Sequence, residues 1–130
     1  MNPKQFLQIG GAVLLLLGIA GLVGIFNKQS TPWFWLDNGE NTAHVVLGVV
    51  ALAAAYFLKD ANLQKWLVVV VGVFGLFAGI YGFAVAGQPE PNVGFANLES
   101  PSDDLLHIVV GLWALAAAFM PGRAMMPKTA

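Results

Sequence analysis

Cysteine is absent from this 130-residue chain, which excludes disulfides, thiolate metal sites and thiol catalysis. Charge is scarce: 10% of the residues are Asp, Glu, Lys or Arg, against about 25% in an ordinary soluble domain. The hydrophobic share of 58% is more than one small soluble core can hide, so lipid has to serve as solvent for most of the chain. The net charge of −1 implies no nucleic-acid partner. Missing too are a phosphate-binding glycine loop, zinc-type ligand spacing, a nucleophile elbow and kinase-type motifs. These absences remove the common routes to catalysis, and no enzyme activity is expected.

What the chain does contain is four long apolar stretches, Leu7–Phe26, Thr42–Leu58, Trp66–Ala86 and Leu105–Met120. Crossing a hydrocarbon layer of about 30 Å takes about 20 mostly apolar residues. None of the four holds Asp, Glu, Lys or Arg, so none offers the mid-membrane ionisable group that a coupled carrier usually needs. The second and fourth are short, so their ends reach the headgroups or the bilayer thins around them. Without water, each stretch has to satisfy its own backbone polar groups, which makes each a helix. Breaks fall at Asn27–Pro32, Lys59–Asn62, Gln88–Pro91 and Pro121–Gly122,. The first stretch is too long for the apolar part of a cleaved signal, and no small-x-small site follows it. It reads as a retained anchor.

Orientation follows from the basic residues. Lys4, Lys59, Lys65, Arg123 and Lys128 fall on one side and Lys28 on the other, which puts both termini in the cytoplasm. Asp37, Glu40, Glu90, Glu99, Asp103 and Asp104 lie outside, and Asp60 inside. Trp33, Trp35 and Trp66 flank the spans at interfacial depth,.

An internal match then appears. The segment from His44 through Gly48 and Ala51 to Tyr56 aligns without gaps on His107 through Gly111 and Ala114 to Phe119. In the preceding helices, Gly21-Leu-Val-Gly24-Ile matches Gly79-Ile-Tyr-Gly82-Phe. The chain therefore reads as one all-α membrane domain over 1–130, a four-helix bundle of two tandem hairpins, 7–58 and 66–120. Both copies enter from the same side, as parallel repeats about an axis along the membrane normal.

The candidate functional residues are few. Gly18, Gly21, Gly24, Gly72, Gly75, Gly79 and Gly82 form small-residue stripes that let helices approach closely. They serve packing within one bundle, or leave one stripe over for a partner. Asn41 and Asp104 each stand three residues before a histidine and read as N-caps. His44 and His107 then sit in first helical turns at the outer face. The expected role is structural, since a neutral imidazole can fix loop geometry with one donor and one acceptor. The functional reading is a paired site for haem, pigment, metal or quinone. Asp103 and Asp104 point different ways on a helix; with Glu90 and Glu99 they offer a weak calcium site, but a solvated helix cap is the preferred reading. Trp33, Phe34, Trp35 and Phe95 are loop aromatics suited to interfacial anchoring or a partner contact.

Asn41-Thr-Ala-His44-Val-Val-Leu-Gly48 and Asp104-Leu-Leu-His107-Ile-Val-Val-Gly111 resemble the Asn-x-x-His turn of a bacterial four-helix membrane family, domain of unknown function 4383. The second carries Asp in place of Asn. A more distant architectural likeness is to DoxX-type proteins. The resemblance implies a four-helix fold and a location in the bacterial inner (plasma) membrane. It assigns no activity.

The expected function is that of a non-enzymatic structural or assembly subunit without cofactor, self-associating or joining a larger membrane complex. The alternatives are a redox-associated subunit holding haem, pigment or quinone through His44 and His107, and a small passive channel. The topology is directly testable. In intact cells, cysteines introduced as Ser30→Cys and Asn92→Cys should react with an impermeant thiol reagent, and Asn62→Cys should not. Labelling at position 62 alone would reverse the orientation.

Overall fold

Four helices account for most of residues 1–120, the part of the chain that the computed structural model describes: α1 Pro3–Leu22, α2 Asn38–Phe57, α3 Ala61–Val85 and α4 Ser102–Phe119. All four are long and apolar enough to cross a membrane, so this is a multi-pass membrane protein. The proposed helix stop at Pro121–Gly122, and Arg123 and Lys128, lie outside the described residues.

Each helix starts three to five residues before its apolar stretch, and in the first three a polar residue caps it. At α1, Asn2 accepts from the Gln5 amide and Gln5 returns the bond to the Asn2 N–H, with Pro3 in the first helical turn,. At α2 the cap is Asp37, paired in the same reciprocal way with Glu40. At α3 the Asp60 carboxylate accepts from Asn62 and Leu63. At α4 the cap position is Pro101, whose side chain has nothing to offer an amide. The added polar turns lengthen α2 to 20 residues and α4 to 18, or about 30 and 27 Å. Of the two expectations for these short spans, the polar first turns fit the one in which the helix ends reach the headgroups.

The far end of α1 corrects a second expectation. The helix stops at Leu22, not Phe26, because Gly24 takes φ +83°. Gly24 N–H donates to Gly21 O at 2.9 Å, and Ile25 N–H reaches back to Ala20 O at 3.0 Å. That is the bond pattern of a glycine-terminated helix. A side chain at Gly24 would meet nothing within 4 Å among the described residues, so this glycine ends a helix and lines no packing stripe.

α1 packs along α2 and α3 along α4, with weaker contacts of α1 to α3 and α4. Within each hairpin the seam runs through glycine. A Cβ on Gly48 would sit 2.6 Å from Leu15 N and 2.8 Å from Gly11 O; one on Gly111 would sit 2.8 Å from Leu76 N and 2.9 Å from Gly72 O. Gly18 and Gly79 face the backbone of Asn41 and Asp104, and Gly21 and Gly82 face the side chains of the same two residues. Gly18 and Gly21 thus stand where Gly79 and Gly82 stand, one turn earlier than the sequence match of Gly21 and Gly24 suggests. Gly75 also faces α4, at His107 O and Gly111.

Between the hairpins, at the end carrying the N-terminus and the α2–α3 link, lies an apolar cluster of Phe6, Leu7, Ala55, Val68, Ala114 and Ala117. Phe6 meets Trp113 edge to face at 4.7 Å. Exposed Val13, Leu16, Val50, Val70, Val73, Phe77, Val109 and Leu112 form the sides turned to lipid. The opposite end of the seam, under the α1–α2 and α3–α4 loops, is filled differently.

Gly48→Ala should cost about 1–3 kcal/mol, because the new methyl meets backbone atoms that cannot turn aside. Gly87→Ala, with nothing within 4 Å among the described residues, should stay within about 0.5 kcal/mol of the parent. Unfolding midpoints in detergent would compare them. Equal midpoints would mean that the glycine seam does not set the helix spacing.

Candidate functional site

At the loop end, the first turns of α2 and α4 bring Glu40 and Asp103 together, and the α3–α4 loop adds Glu99. One carboxylate oxygen from each lies within 4.8 Å of the others. Glu40 is 5% exposed and Asp103 1%, with Glu99 half-buried.

Each carboxylate is held by one oxygen. Glu40 Oε2 accepts from the Asp37 N–H at 3.0 Å. Glu99 Oε1 accepts from Asn97 Nδ2 at 2.9 Å. Asp103 Oδ1 lies 3.2 Å from His107 Nδ1, which also sits 3.0 Å from Asp103 O. The remaining oxygens, Glu40 Oε1, Glu99 Oε2 and Asp103 Oδ2, are buried with no hydrogen-bond partner among the described residues. His44 Nδ1 shares that condition. Unpaired buried polar atoms are uncommon and costly, and here three belong to the residues of one cluster.

The loop that supplies Glu99 is built around two asparagines. Asn92 Nδ2 donates to Leu98 O at 3.0 Å and Asn92 Oδ1 accepts from Leu98 N–H at 2.9 Å. Asn97 N–H donates to Asp37 Oδ2 at 2.6 Å, while Asp37 Oδ1 accepts from Glu40 N–H. Asp37 therefore caps α2 and pins the α3–α4 loop to it. A recess of about 520 Å³, lined among others by Trp33, Trp35, Asn92 and Asn97, runs between the loops and reaches Glu99.

Asn41 and Asp104 are not caps. Each lies inside its helix, 1% and 0% exposed, with its side chain turned into its own hairpin against Gly21 and Gly82. Asn41 Nδ2 donates to Leu36 O at 3.4 Å; neither Asp104 oxygen has a partner among the described residues. The cap rule picked the polar residue nearest the apolar stretch, whereas the Asp37-x-x-Glu40 pair was the better signal. Asp103 and Asp104 do diverge, but neither is solvated. The four-carboxylate calcium set does not assemble either: Glu90 pairs at the surface with Lys28 at 2.9 Å, and Glu40, which the sequence did not single out, takes a place.

The histidines lie one turn deeper than expected, four residues beyond Glu40 and Asp103. His107 is anchored to Asp103. His44 has no such bond through Nδ1, because the longer Glu40 side chain turns back to the Asp37 amide. Among the loop aromatics, Phe34 packs on Phe26 at 5.7 Å and Trp35 lies under Lys28 at 4.8 Å. Trp33 and Phe95 stand exposed.

A family model described as Domain of unknown function (DUF4383) matches residues 4–120. No curated protein and no solved structure matches the chain.

Burial pushes the Glu99 carboxyl up to about 7; the Asn97 donor opposes this, and the charges of Asp103, Asp37 and Glu90 add to it. The folded chain thus keeps a proton that the unfolded chain gives up near pH 4.5. The stability this lends is fully present below that pH and is lost as pH rises to about 7. With a chelator present, the thermal midpoint should therefore fall across this window, and Glu99→Gln should flatten the fall. An unchanged slope in Glu99→Gln would show that another group carries it.

Proposed function

The chain belongs to the DUF4383 family, whose description assigns no activity, and we propose that this member is a non-enzymatic, cation-binding membrane protein. In this reading the two hairpins hold a positively charged ligand at the loop end, outside the bacterial plasma membrane, with both termini in the cytoplasm. The observation that carries it is the set of three carboxylates, each tied down by one oxygen and leaving the other buried and unbonded. At an effective dielectric of about 20, two unit charges 4.8 Å apart repel by roughly 3–4 kcal/mol, so the three groups can all ionise together only with a counter-charge beside them. The N-terminal ends of α2 and α4 supply part of it. A bound cation supplies the rest.

Tandem duplication of one hairpin accounts for the encounter. Glu40-Asn41-Thr42-Ala43-His44 and Asp103-Asp104-Leu105-Leu106-His107 stand at matching places in their hairpins. Residues close to a pseudo-two-fold axis meet their counterparts. Assembly with a second copy or a larger complex remains a separate proposal, but of the glycines that favoured it all except Gly24 face the partner helix of their own hairpin. Exposed Trp33 and Phe95 are what remains to support it.

The test is a thermal shift on the full chain in detergent, stripped with chelator and titrated with calcium, magnesium, manganese or zinc ions. A cation at 100 times its dissociation constant should add about 2.7 kcal/mol of stability, and Glu40→Gln with Asp103→Asn should abolish the gain. No response to any of the four ions would defeat the reading.

A further inference from the structure

The end of the bundle away from the carboxylates has a recess of its own, and its charge is of the opposite sign. It measures about 470 Å³ and is formed by the start of α1, the end of α2 and the start of α3, with Lys4, Lys59, Ala55 and Leu58 in its lining. We propose that it holds the phosphate group of an anionic phospholipid. The site shares no residue with the carboxylate cluster and does not rest on the cation reading. Lys4 and Lys59 are exposed, and neither belongs to an ion pair among the described residues. Lys65, the third lysine of this end, lies instead over the Phe119 ring at 4.9 Å. The acid of this end, Asp60, spends Oδ1 on the amides of Asn62 and Leu63. A phosphodiester carries its single charge on two free oxygens, so each of the two ammonium groups in the recess can take one.

The last carbonyls of α2 reach the same place and would turn an anion away. Gln64, buried at 6% exposure, covers them. Its Nε2 donates to Leu58 O at 2.7 Å and to Ala54 O at 3.5 Å, and Ala54 O also accepts from Leu58 N–H at 3.1 Å. The first turns of α1 and α3 lie at this end too, adding the positive ends of two helix dipoles. A lipid is the source that the surroundings favour. Tyr56 and Phe57, in the last turn of a spanning helix, are 65% and 83% exposed. Acyl chains can therefore lie along α2 while the headgroup stays between the lysines. Tyr56 also lines the recess, and tyrosine favours headgroup depth. Basic pockets beside spanning helices are suited to anionic headgroups for these reasons. A phosphate ion in solution would gain only the charge contacts.

Native mass spectrometry of the full chain in a neutral detergent, titrated with phosphatidylglycerol, phosphatidylcholine or inorganic phosphate, tests the assignment. Phosphatidylglycerol should bind the unmutated chain about 10-fold tighter than phosphatidylcholine, and an excess of inorganic phosphate should not displace it. Lys4→Gln and Lys59→Gln should each weaken phosphatidylglycerol binding about 5-fold. Lys65→Gln removes the same charge outside the recess and should weaken it by about 2-fold or less at physiological salt. Equal losses in all three variants would mean diffuse attraction to a basic surface and would overturn the site. Equal binding of the two lipids by the unmutated chain would overturn it as well, with no variant needed. Inorganic phosphate binding as tightly as phosphatidylglycerol would move the source to solution and defeat the lipid assignment.

Discussion

Backbone meeting backbone is the contact on which this bundle depends. Lipid tails are as apolar as leucine, so helices in a membrane gain little by hiding apolar surface from one another and must gain by close fit. Gly48 against Leu15 and Gly11, and Gly111 against Leu76 and Gly72, bring main chains near enough for that fit. Each hairpin becomes a stiff pair whose outer faces can be left to lipid. The weaker joint, between the hairpins, then has to be filled by side chains along its length. At one end Phe6, Leu7 and Val68 fill it with Ala55, Ala114 and Ala117.

At the other end the same joint is filled by acids. Carboxylates are costly to bury, and this chain keeps them where helix starts and loop amides can reach them. Asp37 bonds three groups: through one oxygen the Glu40 amide, through the other the Asn97 amide, and through its own N–H the Glu40 carboxylate. The Lys28–Glu90 pair farther out is solvent-exposed, and such pairs contribute about 0–1 kcal/mol. The joint at this end is therefore set by the buried polar bonds and not by the surface ion pair.

Much of this architecture was legible before any coordinates. Four apolar stretches without a formal charge mean four spanning helices, and the short Lys59–Asn62 link makes α2 and α3 run in opposite directions. The glycines signalled close packing, though not its register, since a match of two glycines three apart fits equally well one turn away. Gly24 shows why: composition cannot tell a glycine that lets helices touch from one that lets a helix end. The site was harder to read. Glu40 and Glu99 are 59 positions apart by number, and only folding makes them neighbours. Asp103 looked like a hydrated cap because hydrophobicity says where a helix meets lipid, and nothing about what another hairpin lays over its first turn.

Leu36 stands four residues before Glu40, as Glu99 stands four before Asp103, and it is buried at 5% exposure. Were the bundle a dimer of identical hairpins, every group near the axis would occur twice, giving either two leucines there or two glutamates. Joining both hairpins in one chain releases that parity. An odd number of acids can gather at a centre that is otherwise nearly two-fold, and a ligand there can be offered a front and a back.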